Sequence, residues 1–445
     1  MTTILSNSIS GLSGTCRVPG DKSISHRALM LGAMSVGETR IHGLLESDDI
    51  LATVSAITAL GAKVTRLEDQ TWQVFGCGVG GMAAPSDVIN MGNSGTGVRL
   101  LTGLLAGQPI TAVLTGDASL RSRPMKRIMI PLGQMGVKFS AAEDDMLPLT
   151  MTSPTELMPI IYEPPVASAQ IKSAILLAGL AAPGETTVLE NIATRDHTER
   201  MLEYFGAEVH IDHSPSGVKK ITVVGQPELI GRPVVVPADI SSAAFPLVAA
   251  LLTPESEIVI EAVGINSLRS GLLKTLVEMG ADIVQRNKTG AKGEPVADLT
   301  VRASRLKGVQ VPAERAASMI DEYPILAMAA AVAEGTTRME GLAELRVKES
   351  DRLALIAEGL RGAGVEIEET ESSLVVHGTG KAPLGGNTVN SMNDHRIAMS
   401  FLVLGAVSDY PIRVTHTETI ATSFPNFRNI MNILGTDMRI EGDPE

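Results

Sequence analysis

Aromatic side chains are scarce: 1 Trp, 4 Tyr and 7 Phe in 445 residues. A core for a chain of this length must therefore be built mainly from Leu, Ile, Val, Ala and Met. Cys16 and Cys77 are the only cysteines and share no C-x-x-C spacing, which argues against a disulfide framework or a structural zinc site and leaves two free thiols. No Lys/Arg-rich run occurs, and the net charge of -13 argues against a general nucleic-acid surface. Any cationic cluster here has to be local. The longest apolar stretches, "AILLAGLAA" (174–182) and "ILAMAAAVA" (325–333), are about half the ~20 residues that a membrane span requires. "MTTILSNSIS" at the start has no basic segment of the kind that opens a secretory signal. The expectation is a cytoplasmic protein with no membrane or nucleic-acid partner.

Glycine, by contrast, is plentiful at 43 residues, and part of it recurs in register. An apolar residue, Gly and a short alternating strand occur as "LGAKV" at Leu60, "MGVKF" at Met135, "FGAEV" at Phe205, "MGADI" at Met279, "AGVEI" at Ala363 and "LGTDM" at Leu434. The offsets are 75, 70, 74, 84 and 71 residues. Upstream of each lies another apolar helix pattern with a polar or Gly-rich entrance. In the first copy "SGTCRV" alternates as a strand, and Ile24, Ala28 and Leu31 place one apolar face on a helix. "GETRIHGLL" returns as a strand, "SDDILATVSAITAL" is a second helix, and "KVTRL" with "TWQVF" forms a hairpin. The unit is βαβαββ, too large for a solenoid repeat, and six copies pack naturally as three to a domain. The crossover is expected around Gly231 to Pro237.

Cations sit where these helices begin. The second helices start near Arg123, Arg195 and Arg352, and the first helices add Lys22 with Arg27, and Arg396. A positive side chain opposes the helix dipole there, at a cost of a few tenths of a kcal/mol each. A solvated surface charge explains any one of them. Recurrence at equivalent ends of related units points instead to a multiply charged anion, for which Ser23, Ser25 and the "GNSGTG" nest at Gly92 to Gly97 supply further donors. On this reading a bound anion completes Lys22 and Arg27.

The segments "PGDKSISHRALMLGA", "GNSGTGVRLL", "ASAQIKSAILLAGL", "TRDHTERML", "SMIDEYPILA", "RVKESDRL" and "NDHRIAMSF" resemble, in order and spacing, the motifs of the 5-enolpyruvylshikimate 3-phosphate synthase family. The resemblance spans essentially the whole chain. It implies an α/β (α+β) fold of two lobes with three βαβαββ units each: residues 20–236 in the first lobe, residues 1–19 and 237–445 in the second, and the active site in the cleft between them. It also implies a monomer that transfers the enolpyruvyl group of phosphoenolpyruvate to the 5-hydroxyl of shikimate 3-phosphate, with no metal or organic cofactor, and that is a target of glyphosate. Carried over by motif, Lys22, Ser23, Arg27, Ser168, Ala169, Gln170, Arg195, Asp321 and Lys348 would hold shikimate 3-phosphate. Lys22, Gly95, Arg123, Gln170, Arg352 and Arg396 would hold phosphoenolpyruvate. Asp321 would take the hydroxyl proton, while Glu349 and Lys22 would serve the methylene carbon. Many members carry a Lys where "IATSFPNF" has Thr422.

The sister transferase acting on UDP-N-acetylglucosamine shares the fold and usually carries a reactive Cys on a loop, a context that neither Cys16 nor Cys77 occupies. A repeat scaffold without catalysis would account for six copies but not for the convergent arginines. Other motifs are weaker. Gly76, Gly78 and Gly81 fit G-x-G-x-x-G, but "MAAPSDV" follows where a dinucleotide site needs a helix. Ser216 and Lys219 fit S-x-x-K in what reads as a solvent turn, and His210 and His213 read as a strand end. His26 and His395 lie inside the substrate motifs, where orienting neighbours and transferring protons are equal alternatives.

Overall fold

The polar entrances open buried helices in the computed structural model, which describes residues 2–215, 217–290 and 293–442. Among them are α1 (Lys22–Met34), α2 (Gly95–Ala106), α3 (Ala169–Gly179), α4 (Ile240–Leu252), α5 (Tyr323–Val332) and α6 (His395–Gly405). Five begin on a side chain that accepts a backbone N–H of the first turn: Asp21, Ser94, Ser168, Asp239 and Asp394. Such caps satisfy donors that would otherwise be orphaned, each contributing about 1 kcal/mol. α5 is instead entered through the 3-10 turn Ile320–Glu322, with Pro324 in its first turn, where a missing N–H costs nothing. These helices are apolar on nearly every face, and α4 is buried along its whole length. They are therefore central elements.

Among the described residues the strands form six four-stranded sheets. In one, Glu38–His42 pairs antiparallel with Trp72–Phe75 and parallel with Val234–Val235, while Lys63–Arg66 pairs with Trp72–Phe75 to complete a hairpin. The extreme N-terminal strands pair with the late part of the chain. Thr3–Asn7 lies between Ile412–Thr415 and Asp437–Ile440, and Ser13–Cys16 runs parallel to Glu257–Gly264. The chain accordingly divides into two compact units, Gly20–Val236 and Met1–Pro19 with Pro237–Glu445. Each has its own hydrophobic core. In the first, α2 packs on α1 and α3; in the second, α4, α5 and α6 pack on one another.

The weaker motifs have structural explanations. After Trp72–Phe75 the chain enters a loop at Gly76, where a methyl would run into the Gly32 carbonyl oxygen at 2.2 Å, so this glycine serves close packing. His210 lies half-exposed on the strand Val209–His213 beside Glu208. Ser216 lies outside the described residues. Among the described residues no helix is long and apolar enough to cross a membrane, and no group of three or more His, Cys, Asp or Glu is placed to hold a metal ion.

Candidate active site

In the unit Gly20–Val236 the site residues gather at the starts of α1, α2 and α3. Lys22, the first residue of α1, pairs with Asp49, the second residue of the helix Asp48–Ala59. Arg27 departs from the expected placement: it lies in the second turn of α1, not at its start. Its guanidinium donates to Thr198 Oγ1 (2.7 Å), Ser173 Oγ (2.7 Å) and the Ser23 carbonyl (2.9 Å). The protein thus supplies acceptors to Lys22 and Arg27 itself, so neither cation depends on a bound anion for a partner. These three acceptors of Arg27 are uncharged, so they orient the guanidinium without cancelling its charge.

His26, between these cations in sequence, is fully enclosed. Its Nδ1 meets Thr53 Oγ1 at 2.8 Å and its Nε2 meets Ser94 Oγ at 3.3 Å. Burial, then the charges of Lys22 and Arg27, hold its pKa well below 6.5, so the ring is neutral at pH 7. This favours the orienting role over proton transfer: His26 ties α1 to the cap of α2.

At that cap, Gly95 opens α2 between two guanidinium groups. A Cβ there would stand 3.1 Å from Arg123 Nη1 and 3.1 Å from Arg99 Nη1. Arg123 lies in the turn after Ala118–Arg121 and donates to Asn93 Oδ1 and Ser119 Oγ, both at 2.9 Å. Arg99 donates to Gln170 Oε1 at 3.2 Å, and Gln170 Nε2 donates to Thr96 Oγ1 at 3.0 Å. Gln170 thus has both ends of its amide fixed. Ser168 caps α3, and Ala169 is the first helical residue. Arg195 follows Thr194, whose carbonyl accepts from the buried Lys172 at 3.3 Å. Lys172 in turn pairs with Glu190 at 3.0 Å and Glu199 at 2.8 Å.

In the other unit the residues gather before α5 and α6, and here carboxylates are the acceptors. Asp321, in the turn before α5, has Oδ1 3.5 Å from Lys348 Nζ and 3.4 Å from Arg352 Nη1. Glu349 Oε2 accepts from Arg352 Nη2 at 2.5 Å, and Asp394 Oδ2 accepts from Arg352 Nε at 2.8 Å. Arg352 opens the helix Arg352–Gly362 and is only 1% exposed, beside an Asp394 side chain at 0%. Burial alone would lower the pKa of this guanidinium; Asp394, Glu349 and Asp321 outweigh burial and raise it, so Arg352 is charged at all working pH. Arg396, the second residue of α6, donates to the Asp321 carbonyl at 3.0 Å and lies 3.6 Å from Glu322. Thr422, at the end of the turn Thr417–Thr422, donates to the Thr419 carbonyl at 2.7 Å.

Asp49, Arg99, Asp394 and Glu322 were not singled out in the sequence. Asp49 stands in the acidic first turn of its helix, and Asp394 caps α6. Arg99 had a usable signal, because it stands one helical turn after Gly95 and so shares its face. Neither thiol is activated: burial and then Glu261 push Cys16 up to about 11, and burial raises Cys77.

Comparison with known proteins assigns the chain to one family over nearly its whole length. The family model for EPSP synthase (3-phosphoshikimate 1-carboxyvinyltransferase) matches residues 6–431. A 3-phosphoshikimate 1-carboxyvinyltransferase of Paramagnetospirillum magneticum is 61% identical over 432 residues, covering 97% of this chain and 96% of its own. The structure of EPSP synthase from Acinetobacter baumannii superposes with a TM-score of 0.88 at 43% identity, covering 99% of this chain and 100% of that one. The enolpyruvyl transferase NikO from Streptomyces tendae, at 19% identity and a TM-score of 0.79 over 100% of this chain and 99% of that one, shares the fold.

Proposed function

The chain belongs to the EPSP synthase family, and from that premise we propose how its residues divide the reaction. The enzyme is a 3-phosphoshikimate 1-carboxyvinyltransferase of the shikimate pathway. It joins the 5-hydroxyl oxygen of shikimate 3-phosphate to C2 of phosphoenolpyruvate and releases inorganic phosphate. The division of roles rests chiefly on one observation: Asp321 and Glu349 are fastened to the same guanidinium, that of Arg352.

Addition needs a base at the hydroxyl and an acid at C3 of phosphoenolpyruvate. In our reading Asp321 takes the 5-hydroxyl proton as oxygen attacks C2, while Glu349, with Lys22, delivers a proton to C3 and makes it a methyl group. The resulting tetrahedral intermediate carries both the ether and the phosphate on C2. Elimination then removes a proton from the methyl group and expels phosphate, restoring the double bond. Lys22, Ser23, Arg27, Ser168, Ala169, Gln170, Arg195, Asp321 and Lys348 are assigned to shikimate 3-phosphate. Lys22, Gly95, Arg123, Gln170, Arg352 and Arg396 are assigned to phosphoenolpyruvate, and glyphosate is expected to compete there. None of these roles calls for a metal or an organic cofactor. We infer a cytoplasmic location from the phosphorylated metabolites it uses and a monomer from the family resemblance; light scattering on the purified protein tests the oligomeric state.

A reactive-cysteine reading after the UDP-N-acetylglucosamine transferase is disfavoured by the raised pKa of both thiols. The deciding assay supplies shikimate 3-phosphate and phosphoenolpyruvate with chelator present and follows phosphate release. Turnover is expected. Phosphate release with UDP-N-acetylglucosamine instead would overturn the assignment.

A further inference from the structure

Glu322 follows the proposed base in sequence, yet its side chain is 0% exposed and faces away from solvent into a cluster of its own. Oε2 lies 3.3 Å from Arg269 Nη1, while Oε1 accepts from the Ser241 hydroxyl, which itself accepts from Arg269 Nη2. Arg269, in the turn before the helix Gly271–Glu278, also approaches Asp239 Oδ1 at 3.9 Å. Oε1 of Glu322 is 3.6 Å from Arg396 Nη1, too long for a hydrogen bond, and that same Nη1 donates to the Asp321 carbonyl at 3.0 Å. The members come from the starts of α4, α5 and α6 and the turn at Arg269. One buried carboxylate therefore stands between two guanidinium groups, and Arg269 has the closer hold.

We propose that Arg269 is a positioning residue for phosphoenolpyruvate binding: by satisfying Glu322 together with Ser241, it keeps that carboxylate from capturing Arg396. A buried carboxylate needs a counter-charge. With Arg269 in place, Glu322 only steadies Arg396 at a distance, and the guanidinium keeps donors for an incoming anion. Without Arg269, Glu322 must draw Arg396 into a direct pair, and those donors are withdrawn. The bidentate reach to both Ser241 and Glu322 requires the planar fork of an arginine. This inference rests on the proposed assignment of Arg396 to phosphoenolpyruvate.

Steady-state kinetics with both substrates tests it in the full-length chain, using Arg269→Leu, Arg269→Leu/Glu322→Gln and Arg396→Ala. Arg269→Leu is expected to raise the KM for phosphoenolpyruvate about tenfold or more and to leave that for shikimate 3-phosphate within about threefold. The double variant, which removes the stranded charge but keeps a side chain able to bond Ser241, is expected to return within about threefold of the parent. A general packing defect would not be repaired by a second substitution. If Arg269→Leu does not accumulate as folded protein, Arg269→Lys keeps the charge without the fork and is expected to raise the same KM alone. An unchanged phosphoenolpyruvate KM in these folded variants, or a double variant no better than Arg269→Leu, overturns the proposal. A raised KM in Arg396→Ala with a normal one in Arg269→Leu overturns the positioning role and leaves the Arg396 assignment standing. An unchanged KM in Arg396→Ala overturns both.

Discussion

In the unit Gly20–Val236, Arg27 and Arg123 are held by Thr198, Ser173, Asn93, Ser119 and a backbone carbonyl, and Asp49 is the carboxylate beside Lys22. Before α5 and α6, Arg352 is held by Asp321, Glu349 and Asp394, and Lys348 by Asp321. The two units give their cations different company. A guanidinium fixed by hydroxyls and amides keeps its charge for an incoming phosphate. One fixed by carboxylates is largely offset, but it holds in place Asp321 and Glu349, the two proposed for proton transfer. On the proposed assignment the first arrangement suits binding, while the second adds the carboxylates of the chemistry to the binding cations Arg352 and Arg396.

The largest effect is expected where the comparison assigns chemistry. Asp321→Asn should lower kcat by roughly 10²–10⁴-fold, the usual contribution of a general acid or base, with its midpoint of urea unfolding little changed. Activity near the parent level would remove the base from the account. Next comes stability. Asp394→Asn keeps the cap of α6 but takes a charge from Arg352, and should cost about 3 kcal/mol, the low end for breaking a buried pair, because Glu349 and Asp321 remain. Ser173→Ala, which removes a neutral acceptor from Arg27, should cost about 1 kcal/mol. Equal costs by urea unfolding would erase the distinction between the two units.

A smaller effect belongs to Gly95. The added methyl of Gly95→Ala meets the tips of Arg123 and Arg99, which can yield by a few tenths of an ångström. The longer inhibitor glyphosate should lose roughly ten- to a hundredfold in affinity, and phosphoenolpyruvate less. Equal losses for the two ligands would sink the steric argument, and Thr422→Lys measured alongside would show whether a restored cation tightens both. The smallest effect concerns His26. Its folded pKa lies below the unfolded value of ~6.5, so protons bind preferentially to the unfolded chain, and stability falls as pH drops below that value by up to ~1.4 kcal/mol per unit. His26→Gln should flatten the dependence between about pH 6.5 and 5, measured as the urea midpoint at each pH. An unchanged slope would mean that His26 is protonated in the folded state.

Helix starts and motif segments were legible because their signals are local. Asp21, Ser94 and Asp394 cap the helices that the polar entrances announced. The closing Gly signatures fall where chains leave helices for strands, as at Gly206, whose φ of 104° only glycine adopts readily. Company was not legible. The two hydroxyl partners of Arg27 lie 171 and 146 residues away, and no periodicity in the chain encodes such pairs. Arg269 lies outside every motif, and Glu322 stood unremarked beside Asp321, although burial gives both a large electrostatic role. Arg27 itself reads as a helix-start cation and is a second-turn residue.

The division between binding and chemistry is tested most directly by the kinetic signatures of one residue from each unit, Arg123→Ala and Glu349→Gln, measured with both substrates varied. Arg123→Ala should raise the KM for phosphoenolpyruvate by roughly ten- to a hundredfold, with kcat changed by much less, as expected for a lost charge-assisted contact of ~1.5–3 kcal/mol. Glu349→Gln should lower kcat by roughly 10²-fold or more at a KM close to the parent value. The reverse pattern, with kcat collapsing in Arg123→Ala and KM alone rising in Glu349→Gln, would contradict the account.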